Sequence, residues 1–351
     1  MLDVVDGPAD LTPDWFSGVL AGHGIEARVG AVAAERVGTG QMGTTYRASL
    51  TYDEAAGPAT LIVKVAGPDE ALRALVAPGY NAEVGFYRHL ADALDVRTPR
   101  CWHAGIVDDH TRFTLVLDDL APAVPGVQAD GCSLDQARAA LDNLVGLHAP
   151  RWGDPALLDL DFLMRPSAAT AELMQAALVG AIDPFLARFD GRLGPDDEAT
   201  LRAAGEVLDR WQLTDLEPSS VVHGDYRLDN LMLAPTGEVT ALDWQSVACG
   251  APLRDVAYFL GTSLHTEQRR EHEEALVAAY HSALLERGVA GYDADRCWHD
   301  YRLGHLQGPM IGVIGCVYAS GPQDERSDAM FLALVGRSLT AIRDLGTLDL
   351  V

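Results

Sequence analysis

Lysine is almost absent: the 351 residues hold one, Lys64, against 25 arginines. Codon bias explains a general shortage of lysine. It does not explain why the one lysine falls inside an apolar run, Leu61-Ile62-Val63-Lys64-Val65. Positive charge is scarce overall, with a formal net charge of −25. That argues against nucleic acid as a partner, because phosphate backbones are bound by a basic footprint. An acidic field favours cationic ligands, although a solvated acidic surface is the plainer account. Paired cysteines are missing as well: Cys101, Cys132, Cys249, Cys297 and Cys316 are odd in number, scattered and never C-x-x-C. Neither a disulfide framework nor a zinc site is expected, and a reducing cytoplasm suits the pattern. The longest apolar stretch, Met310 to Ala319, is too short to span a bilayer and contains two glycines, so a buried helix and no membrane association are expected. The opening MLDVVDGPADLTPDW is acidic and has no apolar core of the kind a signal peptide carries.

What remains is the composition of a globular protein, 48% hydrophobic and 22% charged, the reverse of a disordered chain. The length allows one large core or two lobes. Thr12-Pro13-Asp14 reads as an N-cap, a proline at the first helical position and a first-turn acid, predicting a helix to about Ala21. AAERVG, TTYRASLTY and ATLIVKVAG then read as three strands, the second alternating and rich in β-branched and aromatic residues. Glu70 to Ala93 reads as helical apart from a break near Pro78-Gly79. RCWHAGIV and RFTLVLDDL read as two further strands about Asp108-Asp109. After Leu120 the character turns helical. Ser133 with Gln136 forms a capping box opening a helix, and further helices are expected over 168–189, 196–213, 267–287 and 327–345. The segment 221–247 interrupts them with two short strands about a Pro-Thr-Gly turn.

Gly38-Thr39-Gly40-Gln41-Met42-Gly43 spells G-x-G-x-x-G. In a dinucleotide fold those glycines run from a strand into a helix; here they run into a strand. A hairpin of this kind brings backbone N–H groups over phosphates, or it is simply a turn. Lys64 demands an anion, since an ammonium among apolar residues is unfavourable unless paired. Glu83, 19 residues on, is the chosen partner, with Glu70 in reserve. His223-Gly224-Asp225-Tyr226-Arg227-Leu228-Asp229-Asn230 matches H-x-D-x-x-x-x-N, a kinase catalytic loop. Asp225 would accept the proton of an acceptor hydroxyl and aim its oxygen, and Asn230 would offer a neutral oxygen to Mg²⁺. Arg227 either steadies a γ-phosphate or makes a structural salt bridge, and His223 shapes the loop. Asp243, in VTALDWQSV, places a carboxylate in an apolar strand, where a bound Mg²⁺ compensates its charge. Asp255, at the start of a helical stretch, reads as a brace on the loop. Together these predict an α+β, bilobal protein-kinase-like fold. Its lobes would be a β-rich N-lobe over 1–120 and a mainly helical C-lobe over 121–351, with a hinge near 118–126 and the nucleotide between them.

In HGDYRLDN, LDWQ and GAPLRDVAY the chain resembles the aminoglycoside phosphotransferase and choline-kinase superfamily over 27–260. GTGQMGTTYRASLTY, EVGFYRHL, LHAPRW and LDWQ are most similar to its ecdysteroid-kinase-like branch, while DYRLDN with LDW also resembles phosphotransferase domains associated with acyl-CoA dehydrogenases. The resemblance implies ATP and Mg²⁺ as cofactors, Asp225 as base, and Asn230 and Asp243 as metal ligands. It implies that the segment containing Asp118 and Leu120 holds adenine through its backbone. The expected reaction moves the γ-phosphoryl group to a hydroxyl of a small molecule. Sugars or aminoglycosides, steroid alcohols, hydroxyacyl-CoA and choline-like amines all stay open as acceptors. Cys297 to Tyr301 and His305 either approach the acceptor or pack the core. A protein substrate is disfavoured, because Asp255 follows Asp243 by only 12 positions. The rival of another class is a catalytically inactive pseudokinase. Such a protein usually lacks one of the motif residues, and here all are present.

Overall fold

The computed structural model describes residues 3–38, 42–318 and 324–351. They fall into two compact units. The first comprises 1–93, 98–121 and 243–246, and the second 94–97, 122–242 and 247–351. Leu94–Arg97 go with the second unit and Asp243–Ser246 with the first.

In the first unit, helix α1 (Pro13–Ala21) is capped by the Thr12 side chain, which accepts the Trp15 N–H at 3.2 Å. Five strands follow: β1 (Arg28–Val37), β2 (Gly43–Glu54), β3 (Thr60–Ala66), β4 (Cys101–Ile106) and β5 (Phe113–Asp118). They form one antiparallel sheet in the order β1-β2-β3-β5-β4. Alternation on β3 sends Leu61, Val63 and Val65 into a core with Phe16, Val19 and Leu20 of α1. Ile62 and Lys64 thus point to the other face. The long helix α2 (Glu70–His89) supplies a partner for Lys64 on that face. The break expected at Pro78-Gly79 is not there; α2 runs through both residues. A proline inside a helix removes a hydrogen bond and crowds the preceding turn. Tertiary burial of Tyr80, Glu83, Val84 and Phe86 overrides that preference. Gly79 has a different use, since a Cβ there would lie 3.4 Å from the Gln245 carbonyl oxygen.

The second unit is mainly helical: α3 (Leu134–His148), α4 (Ala168–Arg188), α5 (Pro195–Leu213), α6 (Leu253–Ser263), α7 (Thr266–Glu286), α8 (Ala294–Leu303), α9 (Gln307–Tyr318) and α10 (Glu325–Leu345). The capping box on α3 is formed at both ends: Gln136 N–H meets Ser133 Oγ at 3.2 Å, and Ser133 N–H meets Gln136 Oε1 at 2.9 Å. Phe185, Leu208, Trp211, Val313, Leu334 and Leu339 belong to one apolar core drawn from α4, α5, α9 and α10. Five short strands accompany the helices: β6 (Val124–Pro125), β7 (Ser220–Val222), β8 (Leu231–Leu233), β9 (Val239–Ala241) and β10 (Ala248–Gly250). β8 and β9 form the expected hairpin, closed at Gly237 with φ 91°. Residues 223–230 are therefore a loop held between β7 and β8. Among the described residues, no helix is long and apolar enough to cross a membrane.

Candidate active site

The chemistry-bearing side chains gather in two places, one in each unit. In the first, β3 holds Lys64 between Thr45 of β2 and Leu115 of β5. Its ammonium donates to Glu83 Oε1 at 2.9 Å, with Glu83 Oε2 2.8 Å away, and to Asp243 Oδ1 at 2.9 Å. Glu70 is not the partner; it lies exposed in the first turn of α2. Burial penalises the ammonium, but the charges of Asp243 and Glu83 outweigh it and hold Lys64 above the usual lysine range. Glu83 moves upward because it is buried and shares the cation with Asp243, even though Lys64 opposes the shift.

Asp243 adopts a left-handed backbone, φ 63°, which few non-glycine residues take. Its neighbour Trp244 is anchored by two contacts. Trp244 stacks on Phe86 of α2 with ring centroids 3.7 Å apart, and its indole N–H donates to Thr98 Oγ1 at 3.0 Å. Gly43 opens β2 where a Cβ would come within 2.9 Å of the Val65 carbonyl oxygen, so only glycine lets the loop strand close against β3 beside Lys64. Gly38 has φ 72°, whereas Gly40 lies outside the described residues. Asp118 ends β5; its carboxylate accepts the Trp102 indole N–H at 2.6 Å and its own N–H donates to the Arg100 carbonyl at 3.0 Å. Leu120 is half-buried just beyond the strand.

In the second unit, the loop 223–230 is pinned from several sides. Asp255, fully buried in the first turn of α6, accepts the His223 N–H at 2.6 Å and the Gly224 N–H at 3.0 Å. His148 Nε2 lies 3.3 Å from the same carboxylate, and His148 Nδ1 lies 2.7 Å from the Tyr280 hydroxyl. Gln307 at the start of α9 donates to the Gly224 carbonyl at 2.8 Å. The His223 ring accepts the Asp225 N–H at Nδ1, 3.2 Å, and meets the Leu242 carbonyl at Nε2, 2.9 Å. Tyr226 anchors the loop inward, its hydroxyl donating to the Ala140 carbonyl at 2.9 Å.

The Asp225 carboxylate is well supplied with donors. Tyr258 O–H reaches Oδ1 at 2.9 Å, and the Asn230 amide N–H₂ reaches Oδ2 at 2.9 Å. Arg227 Nε donates to Oδ2 at 3.4 Å and lies 3.3 Å from Oδ1. Arg227 also pairs with Asp229 at 2.5 Å, which favours the salt bridge of its two expected roles. Because the Asn230 Nδ2 group serves Asp225, its Oδ1 is the amide atom left to meet a cation. Asp243 is the more open of the two carboxylates on Lys64, 41% exposed against 1% for Glu83. Hard oxygen donors of these types fit Mg²⁺, which takes a few protein oxygens and leaves positions for phosphate and water.

The residues Cys297 to Tyr301 turn out to pack and pair locally. Cys297 and Tyr301 are buried, and Tyr301 O–H donates to Glu273 at 2.7 Å. His305 is buried against Tyr301. Sequence reasoning missed Tyr258, His148 and Gln307. For Tyr258 a signal existed: it stands three residues after Asp255 on one helix, hence on the same face.

An antiparallel sheet with one long helix, followed by a helical unit carrying the H-x-D-x-x-x-x-N loop, is the protein-kinase-like architecture of small-molecule kinases. The chain belongs to the phosphotransferase enzyme family, whose model matches residues 35–298. No curated protein matches it in sequence. Three solved structures share the fold at low identity. Choline kinase from Cryptosporidium parvum Iowa II is 10% identical, with 90% of this chain and 91% of that one covered and a TM-score of 0.55. Plasmodium vivax ethanolamine kinase is 10% identical over 90% and 83% of the two chains, with a TM-score of 0.54. The GDP complex of aminoglycoside 2'-phosphotransferase-IIIa is 12% identical over 93% and 98%, with a TM-score of 0.53.

Proposed function

We propose that this phosphotransferase moves the γ-phosphoryl group of ATP, with Mg²⁺, to a hydroxyl of a small-molecule acceptor. The observation that carries the reading is the held state of Asp225. Its loop backbone is clamped by Asp255, and its side chain is fixed by donors on both oxygens. Phosphoryl transfer asks the protein chiefly for positioning and charge compensation. Asp225 accepts the hydroxyl proton and aims the acceptor oxygen. Lys64, kept cationic by its two carboxylates, binds phosphate oxygens, and Gly38, Gly40 and Gly43 let backbone N–H groups approach them. Asp243 and the Asn230 side-chain oxygen hold Mg²⁺, which when bound offsets phosphate charge. Arg227 keeps Asp225 and Asp229 in register, and the backbone from Asp118 to Leu120 receives the adenine ring. The five free cysteines suit a cytoplasmic setting.

Choline and ethanolamine kinases and an aminoglycoside phosphotransferase share the fold, and small hydroxyl compounds are accordingly the proposed acceptor class. Within the superfamily we assign the chain to the ecdysteroid-kinase-like branch, on GTGQMGTTYRASLTY, EVGFYRHL and LDWQ. The test is transfer of radiolabelled γ-phosphate to pooled sugars, aminoglycosides, choline-type amines, sterols and hydroxyacyl thioesters. Label should enter one pool with the wild type and not with Asp225→Asn. Label in no pool, together with no affinity for Mg·ATP, would sink the reading.

A further inference from the structure

Asp255 and Tyr258 stand one turn apart on α6, and both reach the same loop. Asp255 takes the backbone N–H groups of His223 and Gly224, while Tyr258 donates to the Asp225 side chain at 2.9 Å. Spacing of i and i+3 puts both on one helix face. A single helical turn thereby fixes the loop backbone and the rotation of its carboxylate. Tyr258 is 1% exposed, so a phenylalanine would fill its place in the core equally well. What the hydroxyl adds is the bond to Asp225. Burial first, then the nearby Asp225 charge, push the phenol far above its ordinary pKa, and it stays a donor.

A carboxylate offers about four lone-pair positions. Around Asp225, Tyr258 donates to Oδ1, while Asn230 and Arg227 Nε donate to Oδ2 at 2.9 and 3.4 Å, which leaves Oδ1 the less occupied oxygen. Roughly one position is left. We propose that Tyr258 is a positioning residue for phosphoryl transfer: its hydroxyl fixes the rotation of the Asp225 carboxylate so that the remaining lone pair receives the acceptor hydroxyl. The inference rests on Asp225 being the base, as argued above. Tyr258 touches no reacting atom and acts through Asp225.

Two measurements on the full chain test it. The first needs no turnover. With tyrosine labelled with ¹³C at the ring carbon bearing the hydroxyl, the Tyr258 resonance is identified as the one lost in Tyr258→Phe. Replacing the charged acceptor in Asp225→Asn should move it; an unmoved resonance overturns the proposal. The second is phosphate release from Mg·ATP with water as the probe acceptor. Tyr258→Phe should lower kcat by about 10–100-fold, the scale on which small misplacements act, and leave KM for ATP unchanged. In the Asp225→Asn background the same substitution should add nothing further, because its effect passes through Asp225. Equal losses in both backgrounds indicate a merely structural tyrosine and overturn the proposal. Wild-type turnover in Tyr258→Phe with a loss in Asp225→Asn removes Tyr258 alone. Equal turnover of the wild type and Asp225→Asn removes the base assignment itself.

Discussion

Asp255 Oδ2 accepts the backbone N–H of His223 at 2.6 Å, and the other oxygen of that carboxylate accepts Gly224 at 3.0 Å. Both bonds are charge-assisted, and the carboxylate and its bond to His223 are wholly buried, the setting in which a carboxylate is hardest to replace. Asp255→Asn keeps the shape but has one oxygen instead of two, so one buried loop N–H would face an N–H₂ group. An unsatisfied buried donor costs about 1–3 kcal/mol. Urea unfolding should show an unfolding free energy lower by that amount, seen as a lower midpoint with an unchanged slope. An unchanged midpoint would mean that the loop finds other acceptors.

Lys64 should be dispensable for folding only when Glu83 goes with it. Glu83 is 1% exposed, and Lys64 is the cation that compensates it. Lys64→Met leaves a buried carboxylate without its counter-charge, a loss of about 3–5 kcal/mol. Lys64→Met combined with Glu83→Leu replaces the pair with apolar groups and should recover most of that stability, since Asp243 keeps access to water. Neither variant should bind Mg·ATP tightly by isothermal titration. A double variant as unstable as Lys64→Met alone would show that the pair is not what stabilises this part of the sheet.

The parts of this fold that local chemistry dictates were legible in the sequence. Thr12 and the Ser133–Gln136 box mark helix starts through bonds within one turn. The apolar run around Lys64 shows that it needs an anion, and the next helix holds few acids. What stayed hidden depends on long-range placement. His148 meets Asp255 across 107 residues and Gln307 meets Gly224 across 83, so neither contact leaves a spacing to read. The helix through Pro78 shows tertiary burial overriding a local rule. The left-handed turn at Asp243 was equally invisible, because an aspartate gives no sign of such a backbone and the neighbouring Trp244–Phe86 stack joins residues far apart in sequence.

His305 makes stability depend on acid. It is fully buried beside Arg269's charge; burial first, and then that charge, lower its pKa to about 3. The unfolded chain would protonate it near pH 6.5. Between those values the unfolded state binds a proton that the folded state does not, so unfolding becomes easier as the pH falls. The contribution is full above pH 6.5 and declines by about 1.4 kcal/mol per pH unit below it. His305→Gln removes this titration. Urea midpoints from pH 7 to pH 5 should therefore fall less steeply in the variant, and parallel slopes would show that His305 titrates normally.

Asp225 and Asp243 should fail in different ways when each becomes asparagine. Asp225 is tied to Tyr258, Asn230 and Arg227 and faces the proposed acceptor chemistry. Asp225→Asn preserves size but cannot take the hydroxyl proton. General-base contributions run to about 10²–10⁴-fold, so turnover should drop on that scale while Mg·ATP affinity holds. Asp243 is tied to Lys64 and remains partly open to solvent. Asp243→Asn removes a carboxylate from the proposed metal ligands, and it also takes away one of the two anions that hold Lys64 cationic. Its defect should appear in nucleotide binding, as a weaker response of ATP affinity to Mg²⁺ that excess Mg²⁺ partly relieves. Titrating Mg²⁺ at fixed ATP against both variants separates the two. Loss of the metal response in Asp225→Asn, with only slowed chemistry in Asp243→Asn, would reverse the roles. Unchanged phosphoryl transfer in both would end the kinase mechanism proposed for this chain.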